Sequence, residues 1–253
     1  MVNDIQKKEQ QPLDTGSIWS NAWTIFSTNI KSLLLITLTI FLPLIILNEL
    51  LPYERIYSQF GTNGLKLTQN TYKFLNTFLR LLGTMAIVFI AEGQVNEINI
   101  VYKDAIKRSY SHWGKSILAT LLAVIVIIGY SLLLIIPGII KVVQFTFVIY
   151  VVVLRGRTGK EALDYSKAIV EGNWWRVVGF YLLIRLITWG AALAVFFPLR
   201  LIPNLTIIHL LVYTIFDFFG TYFVILLTIL FLDLEQKMNE RQIRDENLNV
   251  INA

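Results

Sequence analysis

The sequence predicts an all-α, polytopic integral membrane protein with about six transmembrane helices. Hydrophobic residues make up 55% of the 253 and charged residues only 15%, against about 25% charged in an ordinary soluble domain. Mean hydropathy is +0.62. The apolar residues also fall in runs long enough to cross a hydrocarbon core about 30 Å thick, which takes roughly 20 helical residues. This composition excludes a disordered chain. The absence of cysteine excludes a disulfide-stapled domain, thiol chemistry and cysteine-type zinc sites. No cleavable signal peptide is expected, because the chain starts polar or mixed and the first long apolar run begins near Leu33.

Read in order, the candidate spans are Ser32 to Leu51, Phe74 to Ala91, Ser116 to Ile136, Ile139 to Leu154, Val177 to Phe197 and Ile207 to Leu232. Only Pro137 and Gly138 separate the third from the fourth. As one helix, Ser116 to Leu154 would run about 58 Å, nearly twice the core. Proline has no N–H to donate and glycine tolerates the positive φ of a reversal, so a tight hairpin is expected at Ile136-Pro137-Gly138. Residues 1–16 read as a polar N-terminus, 17–235 as one helical membrane domain and 236–253 as a charged tail. The external segment from Pro52 to Tyr72 reads as a solvated loop.

Lysine and arginine set the orientation. Of the 22, fifteen fall in the N-terminal segment, the second-to-third and fourth-to-fifth connections and the tail; five fall on the other side and two within spans. Both termini are therefore expected in the cytoplasm. The net charge of +5 reads as topology and contact with anionic lipid, not nucleic-acid binding.

A unit recurs three times. Amphipathic segments precede the first, third and fifth spans: Ser17 to Phe26, Tyr102 to Trp113 and Lys160 to Glu171. Their apolar faces carry Ile18, Ala22 and Phe26; Ala105, Ile106 and Trp113; and Ala162, Leu163, Ile169 and Val170. Each junction ends in a cation just before a span: Lys31, Lys115 and Arg176. Three repeats of an interfacial helix plus a transmembrane hairpin follow. The third unit has the sharpest local pattern. Thr158 as N-cap and Glu161 at N3 fit a capping box, and Gly172 sits where a helix C-terminal glycine belongs. Arg155, Arg157, Lys160, Trp174, Trp175 and Arg176 suit the headgroup layer and lipid phosphate.

The stretch from Gly159 to Ser166, followed by Gly172-Asn173-Trp174-Trp175-Arg176, resembles the signature of a bacterial membrane-protein group. That group includes the membrane domain found beside glycerophosphoryl diester phosphodiesterases and the YciC-like inner-membrane proteins. The Ile136-Pro137-Gly138-Ile139 turn and the aromatic lead-in to the first span are similar as well. The likeness covers roughly residues 17 to 235, with its specific block at 155 to 176. It implies a fold and a bacterial plasma-membrane address. The His-Arg-Gly signature of the soluble phosphodiesterase is missing, so no hydrolase activity is implied.

Three ionisable residues sit deep in spans, where a charge costs about 2.5–3.5 kcal/mol on insertion scales. These are Arg80, Arg185 and Asp217. Asp217 can pair with either arginine as a packing device, or the uneven trio can accept an anionic headgroup or solute. Gly190-Ala191-Ala192 and Gly220 are small enough to bring the fifth and sixth helices close together. His112 and His209 fall on opposite sides of the membrane and cannot share a metal, so no metal or other cofactor is expected. No nucleophile and base share a depth, which argues against an enzyme. Two readings remain. One is a non-catalytic module binding lipid, anionic by charge, or a membrane-protein partner through its interfacial helices. The other is a small transporter or export and tolerance component using the intramembrane trio.

Overall fold

The structure is a computed structural model that describes residues 13–199 and 206–251. The polar N-terminus before Leu13 and most of the connection between the last two spans, Arg200 included, lie outside the described residues. Every regular element among the described residues is helical. Six helical stretches are long and apolar enough to cross a membrane.

Helix α1 (Thr15–Thr28) begins where the Asp14 carboxylate accepts the Gly16 N–H at 2.9 Å, meeting one of the donors that a helix start leaves open. Its expected apolar face is buried through Ile18, Ala22, Ile25 and Phe26. That face meets the last helix rather than lipid, with Phe26 among Phe218, Phe219 and Tyr222. The first span comprises α2 (Ile30–Ile36), a wide π-turn over Thr37–Phe41 and α3 (Leu42–Leu50). Pro43 lies in the first turn of α3 and cannot donate back along the helix, and the wider turn stands just ahead of it. The Thr37 and Thr39 hydroxyls donate to the carbonyls of Leu33 and Leu35.

Helix α4 (Tyr53–Val95) takes in the segment expected to be a loop. Pro52 stands at its N-cap and Glu54 in its first turn, both suited to a helix start. Polar residues signalled exit from the apolar core, not loss of helix. The backbone departs from helix only at Gly61, whose φ of 63° favours a residue without Cβ.

The third span lies in α5 (Tyr102–Leu133), which absorbs the second amphipathic segment without a break. Two of the three expected interfacial helices are therefore separate elements and one is fused to its span. Gly172 supplies a stop in the third unit with φ of 76°. Gly114 stays inside α5 and supplies none. The hairpin reverses at Leu134, which is extended (φ −160°, ψ 145°), not at Pro137-Gly138. Pro137 falls in the first turn of α6 (Ile135–Gln144), where its missing N–H costs no intrahelical bond. Gly138 needs no positive φ; it is small because a Cβ there would run into Ser131 of α5. After a turn at Phe145 to Phe147, α7 (Val148–Arg155) completes the fourth span.

Helix α8 (Gly159–Val170) buries the predicted face of Ala162, Leu163, Ser166, Ile169 and Val170, again against protein. Thr158 occupies the N-cap position but its side chain makes no capping bond. Glu161 instead pairs with Arg157 at 3.2 Å, so the capping box does not form. The last two helices are α9 (Trp174–Leu199) and α10 (Thr206–Ile251). At 46 residues, α10 spans roughly 69 Å and runs unbroken through the expected tail boundary at Gln236. Arg241 then donates to the Glu171 carbonyl at 2.9 Å, seating the tail on the end of α8.

The core lies where α1, α4, α7, α8 and the second half of α10 meet. Ile18, Met85, Phe147, Ile169, Leu226 and Phe231 are fully buried there. The most apolar stretch of α4 is 56% buried, whereas that of α9 is only 6% buried.

Candidate functional site

The intramembrane trio resolves into a pair and a solitary residue. Arg80 of α4 grips Asp217 of α10 with both terminal nitrogens, at 3.0 and 2.5 Å, and its Nε donates to Asn76 at 3.1 Å. A two-pronged arginine–carboxylate contact fixes geometry as well as charge. The π-turn before Pro43 carries Phe41, whose ring lies 5.1 Å from the Arg80 guanidinium. The same ring lies against Gly83, where a Cβ would collide with it. Arg185 is elsewhere. It is exposed on α9, its Nη2 donates to the Tyr181 hydroxyl at 3.0 Å, and it lies over that ring. Among the described residues it has no carboxylate partner. The anion-accepting trio is therefore not assembled, and Asp217 neutralises the arginine beside it.

The helices carrying Arg185 and Asp217 meet through Phe196, which lies 4.6 Å from Tyr213 and 5.2 Å from Phe216, and not through their small residues. Ala191 and Gly220, expected to let them close, instead line an apolar cleft of about 450 Å³ with Ile187, Val212 and Phe216. A Cβ at Gly190 or Gly220 would meet nothing. Small residues permit close approach without causing it.

A second charged assembly lies where α1 and α9 begin and α4 and α7 end, beside the middle of α10. Arg155, expected to face lipid, turns inward and bonds Glu235 through Nε at 2.7 Å and Nη2 at 2.5 Å, while Nη1 reaches Glu92 at 2.9 Å. Arg176 does likewise, meeting Asp233 at 2.7 Å and the Leu13 carbonyl at 2.6 Å. Asp233 also accepts the Leu13 N–H at 2.8 Å and pairs with Lys237 at 3.1 Å. The Tyr165 hydroxyl donates to Glu235 at 2.7 Å. Burial, then that hydrogen bond and the carboxylate's charge, push the phenol up to about 12, so it stays a donor at neutral pH. Three cations face three carboxylates here, and the charges balance. Arg155, Asp233 and Glu235 of this assembly wall an open cavity of about 930 Å³ of mixed polarity, lined also by Asn21, Gln94, Ile229 and Leu232.

The sequence reading missed Glu92, Asp233 and Glu235. Their signal was present: each stands just past an apolar run, facing arginines that stand just past other runs. Of the other headgroup candidates, Trp175 is 80% exposed. Lys160 and Arg157 are exposed, the latter over the Tyr165 ring at 4.1 Å. Trp174 is half-buried, with an indole N–H that has no partner.

These features define a class: an all-α, polytopic protein with membrane-spanning helices, braced by ion pairs within and at one end of its bundle. Compared with family models, curated proteins and solved structures, the chain matches none.

Proposed function

We propose that this chain is a non-catalytic, multi-pass protein of a bacterial plasma membrane, with cytoplasmic termini, that binds anionic lipid along α5 and α8. One observation carries this reading. Lys103, Lys107, Arg108 and Lys115 on α5 are exposed and have no carboxylate partner among the described residues, and the same holds for Lys160 and Lys167 on α8. Arg155 and Arg176, by contrast, are consumed in internal pairs. The buried faces of the first turns of α5, with Ala105, Ser109 and Ser116, and of α8 are seated on the bundle, so lipid meets their cationic sides. Each cation near an anionic surface contributes about 1 kcal/mol.

The purified full chain should melt at a higher temperature with phosphatidylglycerol than with phosphatidylcholine, and less so in high salt. Replacing Lys103, Lys107, Arg108 and Lys115 together by glutamine should remove most of the difference. Equal responses of the wild type to both lipids would refute the reading. Orientation has its own check, made clean by the absence of native cysteine. Cysteines at positions 107, 160 and 241 should be shielded from an impermeant thiol reagent in intact cells while one at 62 reacts; labelling at 160 would reverse the assignment.

A further inference from the structure

We propose that the outward face of α9 docks a transmembrane helix of another membrane protein, whose carboxylate meets Arg185 inside the bilayer. This goes beyond lipid binding and rests on different residues. A span so little buried as α9 is solvated by lipid over nearly its whole surface, and apolar side chains suit that. Arg185 does not, because an unpaired charge at mid-span is costly and such residues normally pair or face a cavity.

Three occupants compete for Arg185. A lipid phosphate is at the wrong depth. Arg185 lies eleven residues past Trp174, about 16 Å along the axis. Its guanidinium reaches back only as far as Tyr181, still roughly 10 Å from that end. A second copy of this chain lacks a counter-charge at this depth, because Glu49, which has no ion pair among the described residues, stands at the far end of the first span. Asp217 is bound to Arg80, while Glu92, Asp233 and Glu235 are held by Arg155 and Arg176 at the end of the bundle. Two copies meeting through α9 would oppose arginine to arginine. A helix that brings its own carboxylate satisfies both depth and charge.

The surface beside Arg185 has the relief for such a partner. Trp189, four residues on, is 68% exposed. With Ala192, Leu193, Phe196 and Phe197 it bounds a hollow of about 340 Å³ along α9, with Phe196 held from behind by Tyr213 and Phe216 of α10. Ala192 is the shallow point between aromatic walls. Transmembrane helices associate by packing side chains into such hollows and by polar contacts across the interface.

The test uses the full chain in phosphatidylcholine vesicles with synthetic leucine–alanine transmembrane peptides carrying a central Glu or a central Gln, read by energy transfer. The Glu peptide should associate about tenfold more tightly than the Gln peptide, the range a polar interhelical contact supplies. Arg185→Gln should erase that contrast, Arg185→Lys should keep part of it, and Asp217→Asn should not mimic Arg185→Gln. Equal association of the two peptides with the wild type would overturn the proposal, as would a contrast that survives in Arg185→Gln. A contrast that disappears when phosphatidylglycerol is added would also overturn it and assign Arg185 to lipid phosphate. Arg185 makes no contact in the core, so the variant folds and the readout stays interpretable.

Discussion

The membrane-spanning parts of α4 and α9 are alike in hydropathy and opposite in circumstance. Their most apolar windows have mean hydropathies of 1.8 and 2.0, and each carries one arginine within its span. Yet Arg80 is held by Asp217, Asn76 and the Phe41 ring, while Arg185 has only Tyr181. Hydropathy decides that a segment enters the bilayer; neighbours decide what its charge means there. An arginine inside the bundle is a structural element, and one on the rim is an unmet demand.

The strongest way to break this contrast is to remove the paired carboxylate. Asp217→Asn should destabilise the detergent-solubilised protein by about 2–3 kcal/mol, somewhat below the ~3–5 kcal/mol of a fully buried pair because Arg80 stays partly exposed. Adding Arg80→Gln should restore much of the loss. Adding Arg185→Gln should restore none, and Arg185→Gln alone should leave the melting curve unmoved. Recovery by Arg185→Gln would mean that Asp217 answers to the wrong arginine here.

A smaller effect separates the two helices by packing alone. Gly83→Ala on α4 pushes a methyl into the Phe41 ring, an overpacking that should cost about 1–3 kcal/mol by thermal melt and loosen the ring's hold on Arg80. Gly190→Ala on α9 should change nothing or stabilise slightly, by up to roughly 1 kcal/mol from helix propensity, because its Cβ would meet open space. Equal costs at both positions would show that α9 is packed more tightly than its exposure implies.

Much of the fold could be read from the chain because a bilayer imposes a length. Each of the six predicted spans coincides with a helical stretch long enough to cross, though the third overruns the break at Leu134 and the fourth is interrupted at Phe145 to Phe147, and the buried faces of α1 and α8 match the period-3.6 pattern. The errors share a cause. Polarity marks where a helix leaves the hydrocarbon, not where it ends, so α4 begins and α10 continues well outside the expected spans. The site was legible in depth and not in azimuth. Arg80, Arg185 and Asp217 could be set near one level by counting 1.5 Å per residue, but which arginine faces α10 depends on how α9 packs. Its side chains gave no answer, since α9 is apolar on every side. Arg155 and Arg176 went astray for a related reason: a cation at a membrane boundary suits phosphate and carboxylate equally until the acids of the other helices are placed.

The ion pairs also impose an order on synthesis. Asp217, Asp233 and Glu235 all belong to α10 and bind arginines made 137, 57 and 80 residues earlier. A ribosome delivering this chain therefore leaves Arg80 and Arg176 without their carboxylates, and Arg155 with Glu92 alone, until the sixth span is made. When the sixth enters, one helix neutralises all three. Asp233 at the same moment takes the Leu13 N–H across 220 residues of sequence. The sixth span is thus the clasp of the assembly, and a chain interrupted before it would sit in the bilayer unfastened.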